Sequence, residues 1–298
     1  MKKVMVILNP DSGSGKSVKM EDLLSKKLKK HFEIIDFRIS KDIDDVINFA
    51  SIAAETNYDS IVVSGGDGTI NSVVQGIYDK EHRPKIAIIP SGTGNLLSKH
   101  LGIPQIRREA INRYDFEYSK KIDIGLCNDK CFCLFVSMGS IPEAIHDASG
   151  EDKSKFGMLT YFKESIERLR KDKYYRLKIE TDDGNYEGEV DHFLVSISNK
   201  IGYVEFTRQN SSMDSGYANV LILKKKDIFS RLSGAGSAIA GELDKNSNVE
   251  HFLASRLHVE SLEGEEETDI DGDKGPSLPI DIQILKQRVE FYLPASYF

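Results

Sequence analysis

The apolar residues of the first hundred positions fall into short runs that alternate with stretches of helical spacing. Four runs predict buried β-strands, at 3–8, 33–39, 60–63 and 85–89. Between them, apolar residues recur at helical spacing over 23–32, 42–55 and 69–78. Continuous Val and Ile runs are typical of strands that are covered on both faces. The alternation therefore predicts a doubly wound parallel-sheet α/β fold for the amino-terminal part of the chain.

The pattern changes near position 122, where strand-like runs begin to follow one another across polar turns. These predicted strands cover 121–126, 131–137, 174–181, 190–197, 218–223, 256–261, 267–271, 280–285 and 289–293. Helical spacing is clear only at 156–170 and 227–240. We predict two domains, an α/β domain at 1–121 and a mostly antiparallel β-sandwich domain at 122–298. Whether the last strand returns to the first domain is left open.

Composition and charge exclude several classes of protein. Apolar residues make up 40% and charged residues 29% of the 298 positions, as in folded globular proteins. The formal net charge of −7 disfavours a general nucleic-acid binder, which carries a basic surplus. No apolar run approaches the roughly 18 residues of a membrane-spanning helix. The cysteines, Cys127, Cys131 and Cys133, lack zinc spacing and are expected to be reduced, buried thiols of a cytoplasmic protein.

Glycine-rich segments follow three of the predicted strands, at the edge of the sheet where such folds bind ligands. In the first segment, Pro10 stands where a P-loop has its first glycine, and Val18 stands where a dinucleotide fingerprint has its third. A plain turn and a phosphate-binding turn both fit this segment.

The second and third glycine segments carry a stronger indication. Ser64 to Asn71 contains three glycines, which allow phosphate oxygens to approach the backbone closely. Asp67 suits a cation that bridges phosphates, although it could instead cap a helix. Pro90 to Asn95 repeats the arrangement after the next strand. Two such loops on consecutive strands predict one shared nucleotide pocket.

A late acidic stretch contains Asp269, Asp271 and Asp273. Since alternate residues of a strand share a face, we expect these three side chains to lie on one face. The stretch is not an EF-hand, because Lys274 occupies the position that requires glycine. A carboxylate cluster beside Gly272 suits a general base near a metal-bound phosphate.

Taken in order, these motifs resemble the diacylglycerol kinase catalytic family, which includes bacterial lipid kinases and sphingosine kinases. The resemblance rests on Asn9-Pro10 with Ser12-Gly13, Gly65 to Asn71, Ile89 to Asn95, Leu101 to Pro104, Ile122-Asp123 and Asp271 to Asp273. The Gly-Gly-Asp-Gly-Thr stretch alone is shared with NAD kinases. Gly-Thr-Gly-Asn followed by Leu-Gly-Ile-Pro points to lipid kinases.

The resemblance implies a kinase that uses ATP and Mg²⁺ to phosphorylate a lipid hydroxyl, that of diacylglycerol or a related lipid. The family's nucleotide contacts fall on Asn9, Ser40, Gly65, Gly66, Asp67, Gly68, Thr69, Ile70, Asn71, Ser91, Gly92 and Thr93. Its general base falls on Asp271, and the carboxylates that orient the nucleotide's Mg²⁺ fall on Asp67 and Asp123. Its structural Mg²⁺ loop falls on Met213 to Gly216, where Asp214 is the acid that remains. The chain departs from the family pattern at Ser215, where a second acid is common, and at Asp273, where Glu is usual.

A lipid substrate implies transient, peripheral membrane contact, through apolar or basic loops of the second domain such as Lys224 to Lys226. No nucleic-acid partner is expected, and a homodimer is left open. Two other functions compete. One is NAD kinase, and the other is a non-catalytic nucleotide-binding regulator, which Ser215 and Asp273 would favour.

Overall fold

The computed structural model describes residues 1–9, 17–139, 174–201, 204–207, 209, 212–224 and 246–295. Proximity of Cα atoms divides the chain into two compact units, Met1–Ile122 together with Gln287–Phe298, and Asp123–Lys286. The glycine segment at 10–16, the predicted helices at 156–170 and 227–240, and Lys225 and Lys226 lie outside the described residues. The predicted fold class, an α/β unit followed by a β-rich antiparallel unit, is confirmed.

The first unit alternates strands and helices along the chain. Its strands are β1 (Lys3–Leu8), β2 (Ile34–Ile39), β3 (Ser60–Gly65) and β4 (Lys85–Pro90). Its helices are α1 (Ser17–Leu28), α2 (Ile43–Glu55), α3 (Asp67–Ile77), α4 (Leu96–His100) and α5 (Arg107–Arg113), and β5 (Ser119–Cys127) follows them. The sequence did not predict α4 and α5, because 5 and 7 residues are too few to show helical periodicity.

The strands of the first unit form a parallel sheet in the order β2-β1-β3-β4. Because crossover connections are right-handed and the strand order reverses at β1, α1 and α2 cover opposite faces. In agreement, α2 packs against α3, and α1 packs against α5. Val4 to Ile7 and Ile61 to Val63 are at most 1% exposed. The carboxyl ends of these strands meet at one edge, which places the loops that follow them.

A late strand, β17 (Ile280–Tyr292), begins in the second unit and ends in the first, where Phe291 pairs in parallel with Ile86. The sequence predicted two strands here, because a polar stretch interrupts the apolar alternation. The structure has one strand, with a positive φ of 47° at Gln287.

Among the described residues, the second unit consists of strands. They are β6 (Lys130–Phe132), β7 (Phe135–Met138), β8 (Tyr175–Thr181), β9 (Asn185–Ser196), β10 (Lys200–Ile201), β11 (Val204–Glu205), β12 (Ala218–Lys224), β13 (Val249–Ala254), β14 (Arg256–Ser261), β15 (Glu267–Ile270) and β16 (Asp273–Ser277). The long strand β9 pairs antiparallel with β8 over its first half and with β7 and β12 over its second half. It therefore connects two groups of antiparallel strands.

The prediction that the three aspartates of the acidic stretch share a strand face is wrong. Strand β15 ends at Ile270, and Asp271 and Gly272 form a two-residue turn into β16, with φ of 52° and 95°. Asp-Gly is a preferred pair for hairpin turns that need positive φ at both positions. The alternation argument fails because the strand stops between the first and second aspartate.

A second correction concerns 131–137, which the sequence predicted as one strand. The structure has two strands, β6 and β7, separated at Cys133 and Leu134. The backbone N–H groups at this break point to the Asp271 carboxylate, as described below. Elsewhere, none of the helices in the described ranges has the length and apolarity needed to cross a membrane.

Candidate active site

The loops that follow β3 and β4 lie in direct contact. The Ser91 backbone N–H donates to the Gly65 carbonyl at 3.0 Å. A Cβ built on Gly92 would lie 2.6 Å from the Gly66 Cα, so the two backbones meet where neither residue has a side chain. The structure thus brings together the predicted nucleotide residues at 65–71 and 91–93.

Asn9 belongs to the same group of residues. It follows β1, and its backbone N–H donates to the Ser64 carbonyl at 3.1 Å. Its side-chain amide donates to the Thr69 hydroxyl at 3.1 Å. Thr69 is 9% exposed and fills the space above Gly65, where a Cβ would lie 2.6 Å from its Cγ2 atom. The absence of a side chain at Gly65 therefore allows Thr69 to point toward Asn9.

The first turn of α3 presents unused backbone donors. Gly66 is the residue that precedes α3. Since glycine has no side chain, it offers no side-chain acceptor to the first N–H groups of the helix. Within the described part of the chain, the N–H groups of Asp67, Gly68 and Thr69 have no protein acceptor. Such donors, together with the positive end of the helix dipole, attract anions. This arrangement suits the phosphates of a nucleotide.

The remaining predicted nucleotide-binding residues differ in how accessible their side chains are to a ligand. Ser40 is 2% exposed, and its hydroxyl donates to the Leu8 carbonyl at 3.3 Å, so it joins the ends of β2 and β1. Ile70 is 1% exposed within the core, so a ligand could reach only its backbone. Asn71 is partly exposed on α3, and Thr93 is exposed at the tip of its loop.

Two residues near the loops were not predicted as site residues from the sequence. The Arg107 guanidinium donates to the Ser91 carbonyl at 3.4 Å and brings a positive charge to the loop after β4. Asn95 holds the same loop through its side chain. Asn95 could have been predicted, because it is the last residue of the Gly-Thr-Gly-Asn motif. Arg107 belongs to none of the motifs recognised in the sequence.

Asp271 is held by three backbone N–H groups. Its Oδ2 accepts from Cys133 at 2.8 Å, and its Oδ1 accepts from Leu134 at 3.0 Å and from Phe135 at 2.6 Å. The residue is 7% exposed. Hydrogen bonds donated to a carboxylate favour its charged form. Backbone donors therefore fix both oxygens of the Asp271 carboxylate, and these N–H groups turn toward it at the break between β6 and β7.

Asp123 and the segment at 213–216 also lie together in the second unit. Asp123 is fully buried, its Oδ2 accepts from the Gly216 N–H at 2.5 Å, and its own N–H donates to the Met213 carbonyl at 2.6 Å. The Asp214 carboxylate accepts from the Ser212 hydroxyl. The sequence assigned Asp123 to the nucleotide's Mg²⁺ and Asp214 to a structural Mg²⁺ loop, and in the structure the backbone of that loop, at Met213 and Gly216, is the hydrogen-bond partner of Asp123.

The carboxylates assigned to Mg²⁺ make hydrogen bonds within the protein. Both oxygens of Asp67 accept backbone N–H groups, from Leu96 at 2.9 Å and Leu97 at 3.1 Å. Across the described residues, no three His, Cys, Asp or Glu side chains are grouped so that they could hold an ion. Mg²⁺ usually binds to proteins through one or two carboxylates together with substrate phosphates. The metal assignments stay predictions, and an Mg²⁺ ion would arrive with the nucleotide substrate.

The cysteines lie within the packed interior, as predicted. Cys127, Cys131 and Cys133 are at most 5% exposed and form no disulfide. Burial raises the pKa of the Cys127 thiol to about 12. Cys127 is therefore unsuited to act as a nucleophile, since the thiolate is the reactive form.

Comparisons with known proteins cover the whole chain. The family model described as diacylglycerol kinase catalytic domain matches residues 3–127. A Streptococcus pneumoniae protein named "Putative lipid kinase" is 43% identical over 292 residues, 98% of each chain. A Staphylococcus epidermidis protein named "Diacylglycerol kinase" is 30% identical, over 100% of this chain and 94% of its own.

The solved structures agree. The crystal structure of a "putative diacylglycerol kinase" from Bacillus anthracis superposes with a TM-score of 0.81 at 27% identity, covering 100% of this chain and 97% of that one. Sequence and fold thus match along both units. The chain belongs to the diacylglycerol kinase family, whose enzymes transfer a phosphoryl group to an alcohol acceptor.

Proposed function

We propose that the protein is an ATP-dependent lipid kinase that phosphorylates the free hydroxyl of diacylglycerol or a closely related lipid. The observation that carries the proposal is the uncapped first turn of α3 beside two glycine loops in contact. Family membership supplies the reaction type, and this geometry supports a polyphosphate donor.

The donor end of the reaction calls for alignment and charge stabilisation. Phosphoryl transfer spreads negative charge over the oxygens of the γ-phosphoryl group, so fixed donors stabilise the transition state. The N–H groups of Gly68 and Thr69 and the exposed hydroxyl of Thr93 are suited to hold the phosphates. Arg107 adds a positive charge near the loop after β4. ATP would enter as its Mg²⁺ complex.

At the acceptor end, we assign proton acceptance to Asp271. The lipid oxygen forms a bond to the γ-phosphorus, the bond from that phosphorus to the β–γ bridging oxygen breaks, and ADP leaves. The hydroxyl proton passes to the Asp271 carboxylate and then to solvent. An ordinary Asp is ionised at neutral pH, and the three backbone N–H donors support that charge.

The names of the relatives support the proposed substrate class. Those at 29–30% identity carry the name diacylglycerol kinase, and the 43% identical relative is named only as a lipid kinase. A lipid acceptor requires the enzyme to reach a membrane surface, so we propose transient peripheral binding. NAD kinase activity is disfavoured, because the matches run through both units to proteins named for lipid substrates.

The proposal is tested by incubating the protein with γ-labelled ATP, Mg²⁺ and mixed micelles that contain diacylglycerol, with NAD as the alternative acceptor. We expect label in the lipid fraction and none in NADP. Label in NADP would overturn the lipid assignment. Nucleotide binding without transfer to any extracted lipid would favour a regulator. Co-sedimentation with vesicles tests the membrane contact separately.

A further inference from the structure

Two side chains hold the loop after β4 in position through hydrogen bonds. They are Asp67, the first residue of α3, and Asn95, the residue that precedes α4. The Asp67 side chain accepts a hydrogen bond from the start of α4, and the Asn95 side chain accepts one from within the loop itself. In each of these hydrogen bonds the partner is backbone, so the two side chains determine the position of main-chain atoms rather than of another side chain.

The Asp67 carboxylate points away from its own helix. Its Oδ2 accepts from the Leu96 N–H at 2.9 Å and its Oδ1 accepts from the Leu97 N–H at 3.1 Å. An acidic residue in the first turn ordinarily serves the helix that contains it. Here the carboxylate satisfies the first N–H groups of α4, and the first turn of α3 keeps its own N–H groups for another acceptor.

Asn95 closes the loop after β4 on itself. Its Oδ1 accepts from the Gly92 N–H at 3.0 Å, and its Nδ2 donates to the Gly92 carbonyl at 2.8 Å. The backbone of Asn95 has a φ of 50°, a left-handed conformation that Asn tolerates better than most residues. The residue is 7% exposed. The Gly92 N–H is therefore already used and is not a donor for phosphate.

We infer that Asp67 and Asn95 are positioning residues, and that Asp67 acts through the backbone of α4 rather than as a metal ligand. Together they hold the loop after β4 against the loop after β3. By capping α4, Asp67 leaves the first turn of α3 as the set of N–H groups that receives phosphate. The inference rests on the proposed ATP-dependent function and deepens it by assigning the side chains that shape the phosphate site.

The test uses Asp67→Asn, Asp67→Ala and Asn95→Ala, with Asp59→Asn as a matched control. Asp59 also accepts a backbone hydrogen bond, from Lys3 at 2.6 Å, but it precedes β3 and so lies at the opposite edge of the sheet. For each full-length variant, ATP affinity is measured by calorimetry in Mg²⁺ buffer and in EDTA. The melting temperature is measured without ligand.

A positioning role predicts that Asp67→Ala and Asn95→Ala weaken ATP binding at least tenfold in both buffers and lower the melting temperature. Asp67→Asn keeps one acceptor oxygen and should fall between Asp67→Ala and the wild type. Asp59→Asn should lower the melting temperature and leave ATP affinity within twofold. If Asp67→Ala does not fold, the ATP affinities and melting temperatures of Asp67→Asn and Asn95→Ala test the inference instead.

The inference is overturned if the Asp67 variants melt like the wild type and lose ATP affinity only in Mg²⁺ buffer, because that is the behaviour of a metal ligand. It is also overturned for Asn95 if Asn95→Ala binds ATP like the wild type. Failure of the proposed function would be observed in the labelling assay, as wild-type enzyme that binds ATP but transfers no label to lipid. The two failures are therefore distinguishable.

Discussion

Gly66 and Gly92 approach each other so closely that a Cβ on Gly92 would lie 2.6 Å from the Gly66 Cα. A Cβ on Gly66 would lie 3.1 Å from the Gly92 Cα. In both cases the opposing atom belongs to the backbone, which cannot rotate away as a side chain does. The contact joins the ends of two neighbouring strands, so the shape of the phosphate site depends on it.

Gly92→Ala should therefore be more damaging than Gly66→Ala. The added methyl group forces the loops apart, and we expect Gly92→Ala to reduce the free energy of unfolding by about 1–3 kcal/mol. The KM for ATP should rise at least tenfold, with a smaller rise for Gly66→Ala. Urea denaturation and initial rates measure the two effects. Equal effects, or the reverse order, would contradict the close approach.

Asp271→Asn should lower both stability and turnover, for different reasons. An Asn side chain turns an NH₂ group toward backbone N–H donors, which leaves a buried donor unsatisfied at a cost of about 1–3 kcal/mol. Loss of the proton acceptor should lower kcat by about 10²–10⁴-fold. Activity loss alone would not separate these causes, so the melting temperature must be measured on the same sample.

Asp182 offers a matched control for that substitution in the same unit. Its carboxylate also accepts backbone N–H groups, from Ser255 at 3.0 Å and from Arg256 at 3.4 Å. Asp182→Asn should lower the melting temperature without a large change in kcat. If Asp271→Asn melts and turns over like the wild type, both the hydrogen-bonding role and the proton-acceptor role are wrong.

The sequence was most informative where local pattern and tertiary structure agree. The strand at Ser60–Gly65 contains the uninterrupted apolar run Ile61 to Val63, which is typical of a strand buried on both faces, so the local sequence was enough to predict it. The loops after β3 and β4 were expected together because consecutive parallel strands end at the same edge. No long-range information was needed for either prediction.

The errors arose where a distant group decides the local structure. The break at Cys133 and the turn at Asp271 depend on hydrogen bonds between segments 138 residues apart. Asp67 was recognised as a candidate helix cap, but it caps a helix that begins 29 residues later. The spacing of polar residues along a strand does not show which distant backbone groups Asp67 and Asp271 bind. Side-chain to backbone bonds across such separations are visible only in the folded chain.

The Glu290 carboxyl lies on the part of β17 that belongs to the first unit, and it should make stability depend on pH. It accepts from the Ser119 hydroxyl at 2.5 Å and lies 2.9 Å from the Lys85 ammonium. Burial alone would raise the pKa of Glu290, but hydrogen bonds from Ser119 and Lys85, with the charge of Lys85, hold that pKa below its usual value. The stabilisation is therefore complete above the unfolded pKa of about 4.3 and is lost as pH falls through the folded pKa.

We expect Glu290→Gln to be less stable than the wild type at neutral pH by up to about 1 kcal/mol, since the pair is partly exposed. The difference should vanish in acid. Glu109→Gln, which removes an exposed pair with Arg113, is the control and should change stability less. Melting curves across the acid range measure both. A difference that persists unchanged in acid would show that the charge of Glu290 does not stabilise the fold.

The cysteines should be unreactive until the protein unfolds. Cys127 is fully buried, and burial raises the pKa of its thiol to about 12, so its thiolate is scarce at neutral pH. Cys131 and Cys133 are 5% and 1% exposed, which denies access to a bulky disulfide reagent. With an aromatic disulfide reagent, native protein should release almost no chromophore within minutes. In denaturant it should release three equivalents, matching the cysteine count. Fast release of one equivalent from native protein, blocked by ATP, would instead place a thiol at the candidate active site.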